Sequence, residues 1–492
     1  MLISTVSCTP VLNNDELKTT SDDKSNSLQD DIYTMPNFTV SGMTGSQGDT
    51  CIISFDEVAK VNTLVLEEKL LPLPNGVEKP SRLGVFSFSL WYKDGEEYKH
   101  FYTQDFIYPY RYCSFPTITT DEIKICIDDS SGLDWELTSV TPKFVEKTYN
   151  DNFDVAAYIT FKSAYHIDNL DENHFPIIKT IYLAFIYFDE NANIFIRDEY
   201  IGGQTIPGEE LFSTVLSNVK AKASKDVKIM PVFVGRDFSG SLSTSDVHTI
   251  AMRDHKEKLA NGIKTFIDTH NLDGVSFDYE YPEGSSETKV FYEFCTYLKT
   301  VLSEDQLVTG ATSAWMFHPQ NYMSYEVGKN IMSMDKLEMM AYDDKDEEYT
   351  DAYHSTFQNG AYKQYYLFKS MEGDSIAAEM VRELVYGDKD AVFPLSKINL
   401  GLPFFSRPLT MEEYWGDYPV DAEKLGKFSN MTTNEIYGPE YYNSWQMIYD
   451  KTTFCIDNGF GGVMVWQYIC DLPMEHELSL FGAIKAAIES RK

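Results

Sequence analysis

The chain has 492 residues and a hydrophobic fraction of 43%, more than one ordinary core absorbs, so a large domain and a smaller one are expected. A formal charge of -35 excludes nucleic acid and anionic membrane surfaces as natural partners, because both would be repelled, while a neutral polymer stays open. Aromatic residues make up 14% of the chain; most belong in cores, and a surplus suits stacking on flat uncharged rings such as sugars.

In chain order, residues 1–35 are polar and aperiodic after a short apolar start, and read as a flexible segment. The stretch MLISTVSC resembles the tail of a bacterial lipoprotein signal ending in Ser7 and Cys8, although Thr5 departs from the leucine-like residue usual there. That resemblance implies an extracellular or cell-surface location. From 36 to 147 the segments CIISF, VNTLVLEE, FSFSLWY and EIKICIDD alternate between turn residues, the pattern of a small all-β sandwich. Asp94-Gly95 marks a hairpin turn, and Ile123, Ile125 and Ile127 share a face. The strand order resembles discoidin-like, galactose-binding jelly rolls, which implies a module that binds sugar or packs on its neighbour.

After a polar linker at 145–152, eight candidate strands alternate with helical stretches: 155–161, 177–188, 227–235, 274–281, 307–315, 336–343, 397–405 and 461–469. This predicts an α/β fold, a (β/α)8 TIM barrel over 153–492. Leu259, Ile263, Phe266 and Ile267 make one helical stripe, and Phe291, Phe294, Leu298 and Val301 another. No apolar run of about 18 residues is present, so no membrane-crossing helix is expected. The seven cysteines, at 8, 51, 113, 126, 295, 455 and 470, include no C-x-x-C pair and have no nearby histidines, so neither a metal nor a cofactor is expected.

The fourth strand, LDGVSFDYEYP, carries two acids two positions apart. Side chains alternate, so Val275, Phe277 and Tyr279 point to the helices while Ser276, Asp278 and Glu280 point into the barrel, with Glu280 nearest the carboxyl end where sites of this architecture lie. A buried ion-pair network with Lys or Arg is the competing reading, but these strands are almost free of basic residues. Two close buried carboxyls keep a proton near neutral pH. Glu280 is thus expected to be a proton donor, beside an ionised Asp278.

This segment resembles the Asp-Gly-x-Asp-x-Asp-x-Glu signature of glycoside hydrolase family 18, the chitinases and endo-β-N-acetylglucosaminidases. VAAYITF, IYLAF, MMAYD, LGLPFFSRP and GGVMVWQY follow the family's order over about 153–490. The resemblance implies a retaining, substrate-assisted mechanism, in which the substrate's acetamido group supplies the nucleophile. Glu280 would protonate the leaving oxygen, Asp278 orient the acetamido N–H and Tyr342 hold its oxygen. Trp466 would floor the pocket, with Asp343 contacting the sugar and Tyr158 and Met340 closing it, although Tyr158, Met340 and Phe185 also suit plain barrel filling. Trp315 with Tyr322, and Trp415 with Tyr418, are candidate stacking platforms or loop packing.

Several departures limit the match. Ser276 replaces the middle Asp of the signature, leaving Asp278 a hydroxyl neighbour instead of a carboxyl. PVFVG lacks the usual Ser-x-Gly-Gly, Phe405 and Ser406 replace Tyr and Gly, and little room exists between Phe405 and Gly461 for an insertion domain. These imply a shallower, open groove. The resulting expectation is a monomeric enzyme that cleaves β-1,4 links between N-acetylglucosamine units of chitin. The alternatives are cleavage of the chitobiose core of N-glycans and a sugar-binding protein on the same scaffold.

Overall fold

Two hydrophobic periodicities, one of two residues and one of about 3.6, divide the chain into an antiparallel sheet and a barrel. The structure is a computed structural model and describes residues 33–69, 84–132, 134–313, 316, 327–343, 353–410, 414–418 and 424–492. Strands β1 (Phe38–Ser41), β2 (Thr44–Gly45), β3 (Thr50–Glu68), β4 (Val85–Asp94), β5 (Glu97–Asp105), β6 (Tyr110–Ser130) and β7 (Trp135–Lys143) form one antiparallel sheet. Its order is β2-β7-β3-β6-β4-β5, with β1 paired to β3. The β3–β6 register shifts between Ser54 and Ala59 and again between Val61 and Thr63, irregularities that bend long strands. Ile53, Leu64, Phe88 and Trp135 join Ile123, Ile125 and Ile127 in the core of this sheet, as the alternation predicts. The hairpin turn lies one residue later than the sequence signal: Asp94 pairs with Glu97, and Gly95, at φ 68°, takes the first turn position.

Eight parallel strands then close a barrel: Asp154–Thr160, Thr180–Phe188, Lys228–Gly235, Gly274–Asp278, Leu307–Ser313, Lys336–Met340, Ile398–Pro403 and Gly462–Trp466. The first pairs with both the second and the eighth, which completes the ring. All eight appear where the sequence placed them, mostly shorter at the carboxyl end; the fourth stops at Asp278 instead of 281. Val275, Phe277 and Tyr279 belong to the outer core between strands and helices, whereas Ala156, Tyr158, Tyr182, Met340 and Met464 fill the interior. Helix Lys256–His270 buries Leu259, Ile263 and Ile267, and helix Ser285–Val301 buries Phe291, Phe294 and Leu298. Between the last two barrel strands, the described residues form a small antiparallel sheet of Phe405–Pro408, Gly416–Asp417, Met431–Asn434 and Gly438–Tyr441, followed by helix Trp445–Asp457, in line with the short spacing there.

Residues Met35–Lys492 form one compact unit. The stretch read as a linker is fastened at both ends: Asn62 exchanges side-chain hydrogen bonds with the backbone of Val145, and the Tyr149 N–H donates to the Arg491 carbonyl at 3.0 Å. Helix Trp445–Asp457 is buried on nearly all sides, because one face packs on the barrel and the other meets β6. Its polar residues are therefore buried too, and each needs a partner. Asp450 accepts from Arg111 Nη2 at 2.9 Å, Tyr102 Oη at 2.6 Å, the Ser114 N–H at 3.0 Å and Gln446 Nε2 at 3.0 Å. The Arg111–Asp450 pair is wholly buried, so removing one partner strands a desolvated charge. Asp450→Ala is expected to cost about 3–5 kcal/mol in denaturant unfolding, and Arg111→Met combined with Asp450→Leu is expected to recover most of it.

Candidate active site

Just past the fourth strand, Asp278 and Glu280 face a cavity of about 610 Å³ at the carboxyl ends of the barrel strands. Tyr279 between them points outward and fixes the local frame. Its ring stacks on His248 at 4.0 Å and 3°, and its hydroxyl lies 2.9 Å from Ser245 Oγ. His248 in turn accepts from the Gly235 N–H at 3.1 Å and donates to the Thr244 carbonyl at 2.8 Å; burial lowers its pKa to about 4, so the ring is neutral.

The two carboxyls share a hydrogen bond, and neither forms an ion pair among the described residues. Burial, then the charge of Glu280 and the hydrogen bond to it, holds Asp278 well above the usual carboxylate range. Burial also raises Glu280; hydrogen bonds from Asp278 and Tyr281 pull it back, and the charge of Asp343 pushes it up again. Glu280 reaches into the open cavity and Asp278 sits below it, so desolvation acts most on Asp278. Both carboxyls are raised, so the pair retains a proton that the two share. Among the described residues, Asp278 Oδ1 is buried with no hydrogen-bond partner, and the Ser276 and Tyr158 side chains lie within reach of each other below it.

The structure brings most of the sequence-derived candidates together. Asp278, Glu280, Tyr342, Asp343, Trp466, Tyr158 and Met340 all line the cavity, as do Phe185 and Trp415. Ser276 is fully buried on the strand below Asp278 and is not part of the wall. Trp315 and Tyr322 lie outside the described residues. Trp415 is 49% exposed at the cavity, whereas its proposed companion Tyr418 is 2% exposed, with its hydroxyl donating to the Leu478 carbonyl at 3.0 Å; Tyr418 is a packing residue.

Trp466 meets Tyr158 edge-on at 5.5 Å and Trp415 at 6.4 Å and 90°, so an apolar corner faces the carboxyls. The Tyr342 ring stands edge-on to Phe405 at 5.6 Å and leaves no room opposite: a Cβ at Gly401 would come within 2.8 Å of it and 2.4 Å of the Met339 carbonyl. Asp343 has φ 60° and is gripped by both prongs of Arg407, at 2.8 Å each. Arg407 lies over Trp415 at 4.7 Å, Trp415 stacks on Phe405 at 5.2 Å, and Phe405 stacks on His354 at 5.1 Å.

Sequence reasoning missed this Arg407–Asp343–His354 set, along with Tyr187, Arg197, Arg236, Phe238, Thr244 and Tyr281. Arg236 directly follows the third strand, a position at the active end of a barrel that was a readable signal. Arg197 gave none, because a short hairpin carries it to the rim.

Residues 154–471 match the family described as glycosyl hydrolases family 18. The chain belongs to that family. A secreted chitinase, LysM12, from Penicillium expansum is 29% identical over 124 residues, 23% of this chain; the chain spans 8% of that curated relative's length. Catalytic domain 2 of a group II chitinase from Ostrinia furnacalis, solved with (NAG)5, superposes with a TM-score of 0.51 at 15% identity, covering 70% of this chain and 98% of that one. YKL-39, solved with GlcNAc4, gives a TM-score of 0.50 at 17% identity, covering 69% and 100%. At these identities the structural likeness establishes a chitinase-like fold.

Beneath the family 18 carboxyl pair, Glu338 accepts from Tyr182 Oη at 2.6 Å and from Asn399 Nδ2 at 3.0 Å, and Asp154 pairs with Lys336 at 2.7 Å. Burial, then the charge of Asp154, raises Glu338 from 4.5 to about 8. A raised folded-state pKa means that its stabilising contribution is complete below 4.5 and fades as pH rises through about 8. Glu338→Gln, which keeps the acceptor without the titration, is expected to flatten the fall in Tm between pH 5 and 9 and to exceed wild type at the alkaline end. An unchanged Tm profile would contradict the assignment.

Proposed function

We propose that this family 18 chain is a retaining glycoside hydrolase that cleaves β-1,4 links between N-acetylglucosamine units, using the acetamido group of the substrate as nucleophile. The observation that carries this reading is the protonated carboxyl pair without a cation, with an orphaned acceptor on Asp278, in a cavity walled by Trp466. An acetamido N–H donating to Asp278 Oδ1 favours the ionised form of that residue, which releases the shared proton to Glu280. Glu280 then protonates the departing glycosidic oxygen. Tyr342 holds the acetamido oxygen, and Trp466 supports the apolar face of the ring. Tyr158 and Met340 close the pocket, and Asp343, oriented by Arg407, meets the sugar hydroxyls. Chitooligosaccharides are the first candidate substrate, in keeping with the ligands carried by the Ostrinia domain and YKL-39.

Cleavage of the N-glycan core is the second reading, favoured by a groove that carries no insertion domain among the described residues and has two cations at one end, for which neutral chitin has no counterpart. Mass spectrometry of chitotetraose and of a high-mannose glycopeptide after digestion separates the two. Glu280→Gln is expected to lose roughly a hundred- to ten-thousandfold in kcat on the true substrate. No product from wild type on either substrate, despite measurable binding, would leave a sugar-binding protein.

Because the pair is raised, the proton needed for catalysis persists above the ~4 of an ordinary carboxylate. The alkaline limb of kcat/KM is expected well above that value, and Asp278→Asn is expected to move it down and to lower the rate about a hundredfold. A limb that stays in place in Asp278→Asn would show that the two carboxyls do not share the proton.

A further inference from the structure

We propose that the groove contains an anion-binding subsite, built from Arg197 and Arg236, that takes a carboxylate or phosphate carried on an N-acetylglucosamine-containing glycan. This deepens the reading above and rests on it. Arginine usage carries the argument. Arg111, Arg253, Arg407 and Arg491 each pair with a carboxylate, and Arg382 donates to the carbonyls of Met371, Gly373 and Lys389. Arg197 and Arg236 form no ion pair among the described residues, and both line the cavity that holds Asp278 and Glu280. Here they share one cavity wall.

The geometry leaves their donors available. The Arg197 guanidinium carbon lies 4.5 Å from the centroid of the Phe238 ring, a cation–π contact that spends none of its N–H donors. Arg236 spends Nη1 on Thr244 Oγ1 at 3.0 Å and keeps its remaining donors. Phe238 is 46% exposed, and Tyr187 meets it edge-on at 5.1 Å, so the cations sit beside an aromatic surface on which a sugar ring stacks. Burial and the charge of Glu199 raise the Tyr187 phenol while Arg197 and Arg236 both pull it back, which places both cations near one ring. In the ring of eight strands, the second and third, which carry these residues, lie across from the sixth and seventh, which carry Asp343 and lead to Trp415. A ligand bridging the groove therefore passes over the carboxyl pair between an aromatic end and a cationic end. The overall charge of -35 argues for a glycan with isolated charges and against a polyanion, which the rest of the surface would repel.

The test uses the full chain carrying Glu280→Gln, titrated calorimetrically with two matched pairs of glycopeptides: a sialylated biantennary glycan and its desialylated form, and a phosphorylated high-mannose glycan and its dephosphorylated form. At least one charged member is expected to bind about tenfold tighter than its neutral twin, the worth of one charge-assisted hydrogen-bonded contact, and which pair responds distinguishes carboxylate from phosphate. Arg197→Gln and Arg236→Gln are each expected to bring that ratio toward one, with Arg→Lys at the same position restoring part of it. Ratios near one for both pairs, or arginine variants that weaken charged and neutral ligands equally, would overturn the proposal. A retained preference with no cleavage by the wild-type chain would keep the subsite and remove the hydrolase reading.

Discussion

The stacking of Tyr279 on His248 and the burial of Phe277 among the outer helices hold the fourth barrel strand in a single rotation about its axis. In a strand, alternate residues are bound to opposite faces, so this outward grip is also what aims Asp278 and Glu280 inward. A slip of one residue would place two carboxyls among Phe291, Phe294 and Leu298 and two aromatic rings in the cavity, at a cost no local adjustment could offset. The chemistry proposed for the cavity therefore rests on apolar residues that never touch a ligand. His248 contributes in the same way: neutral and buried, it ties the end of the third strand to the helix that receives the Tyr279 hydroxyl.

The carboxyl pair and the arginines above it solve opposite problems. Asp278 is raised by burial and by the neighbouring Glu280, while Arg407 spends its charge on Asp343 and so is withheld from the pair. Arg197 and Arg236 line the same space from beyond the ends of neighbouring strands, with no ion pair among the described residues. The groove thus separates a deep acidic centre from a positive rim, a polarity opposite to that of the whole molecule.

How much of this was readable from the residues depended on distance along the chain. The eight strands, the inward acids, Trp466 and Tyr342 are set by local alternation and by segments in a recognisable order, and all lie where that pattern put them. The Arg407–Asp343 fork joins residues 64 positions apart, and Tyr102–Asp450 joins residues 348 apart; no period in the sequence encodes such pairings. Helix Trp445–Asp457 shows the same limit, since its buried polar residues find partners such as the Ser114 N–H on β6, 336 positions away. The orphaned Asp278 oxygen also escaped, because it follows from depth in the barrel, which alternation does not convey.

The aromatic stack at the seventh strand does not end at the cavity. His354, beneath Phe405, donates from Nε2 to the Tyr441 carbonyl at 3.1 Å, and the Tyr441 hydroxyl donates to Asp105 of β5 at 2.6 Å. The wall against which a sugar would lean is thus braced from behind by the N-terminal sheet, through rigid rings and two short hydrogen bonds with no flexible segment between them. Load on Trp415 passes into a strand that lies outside the barrel, and the accessory sheet works as a buttress for the groove whether or not it holds any ligand itself.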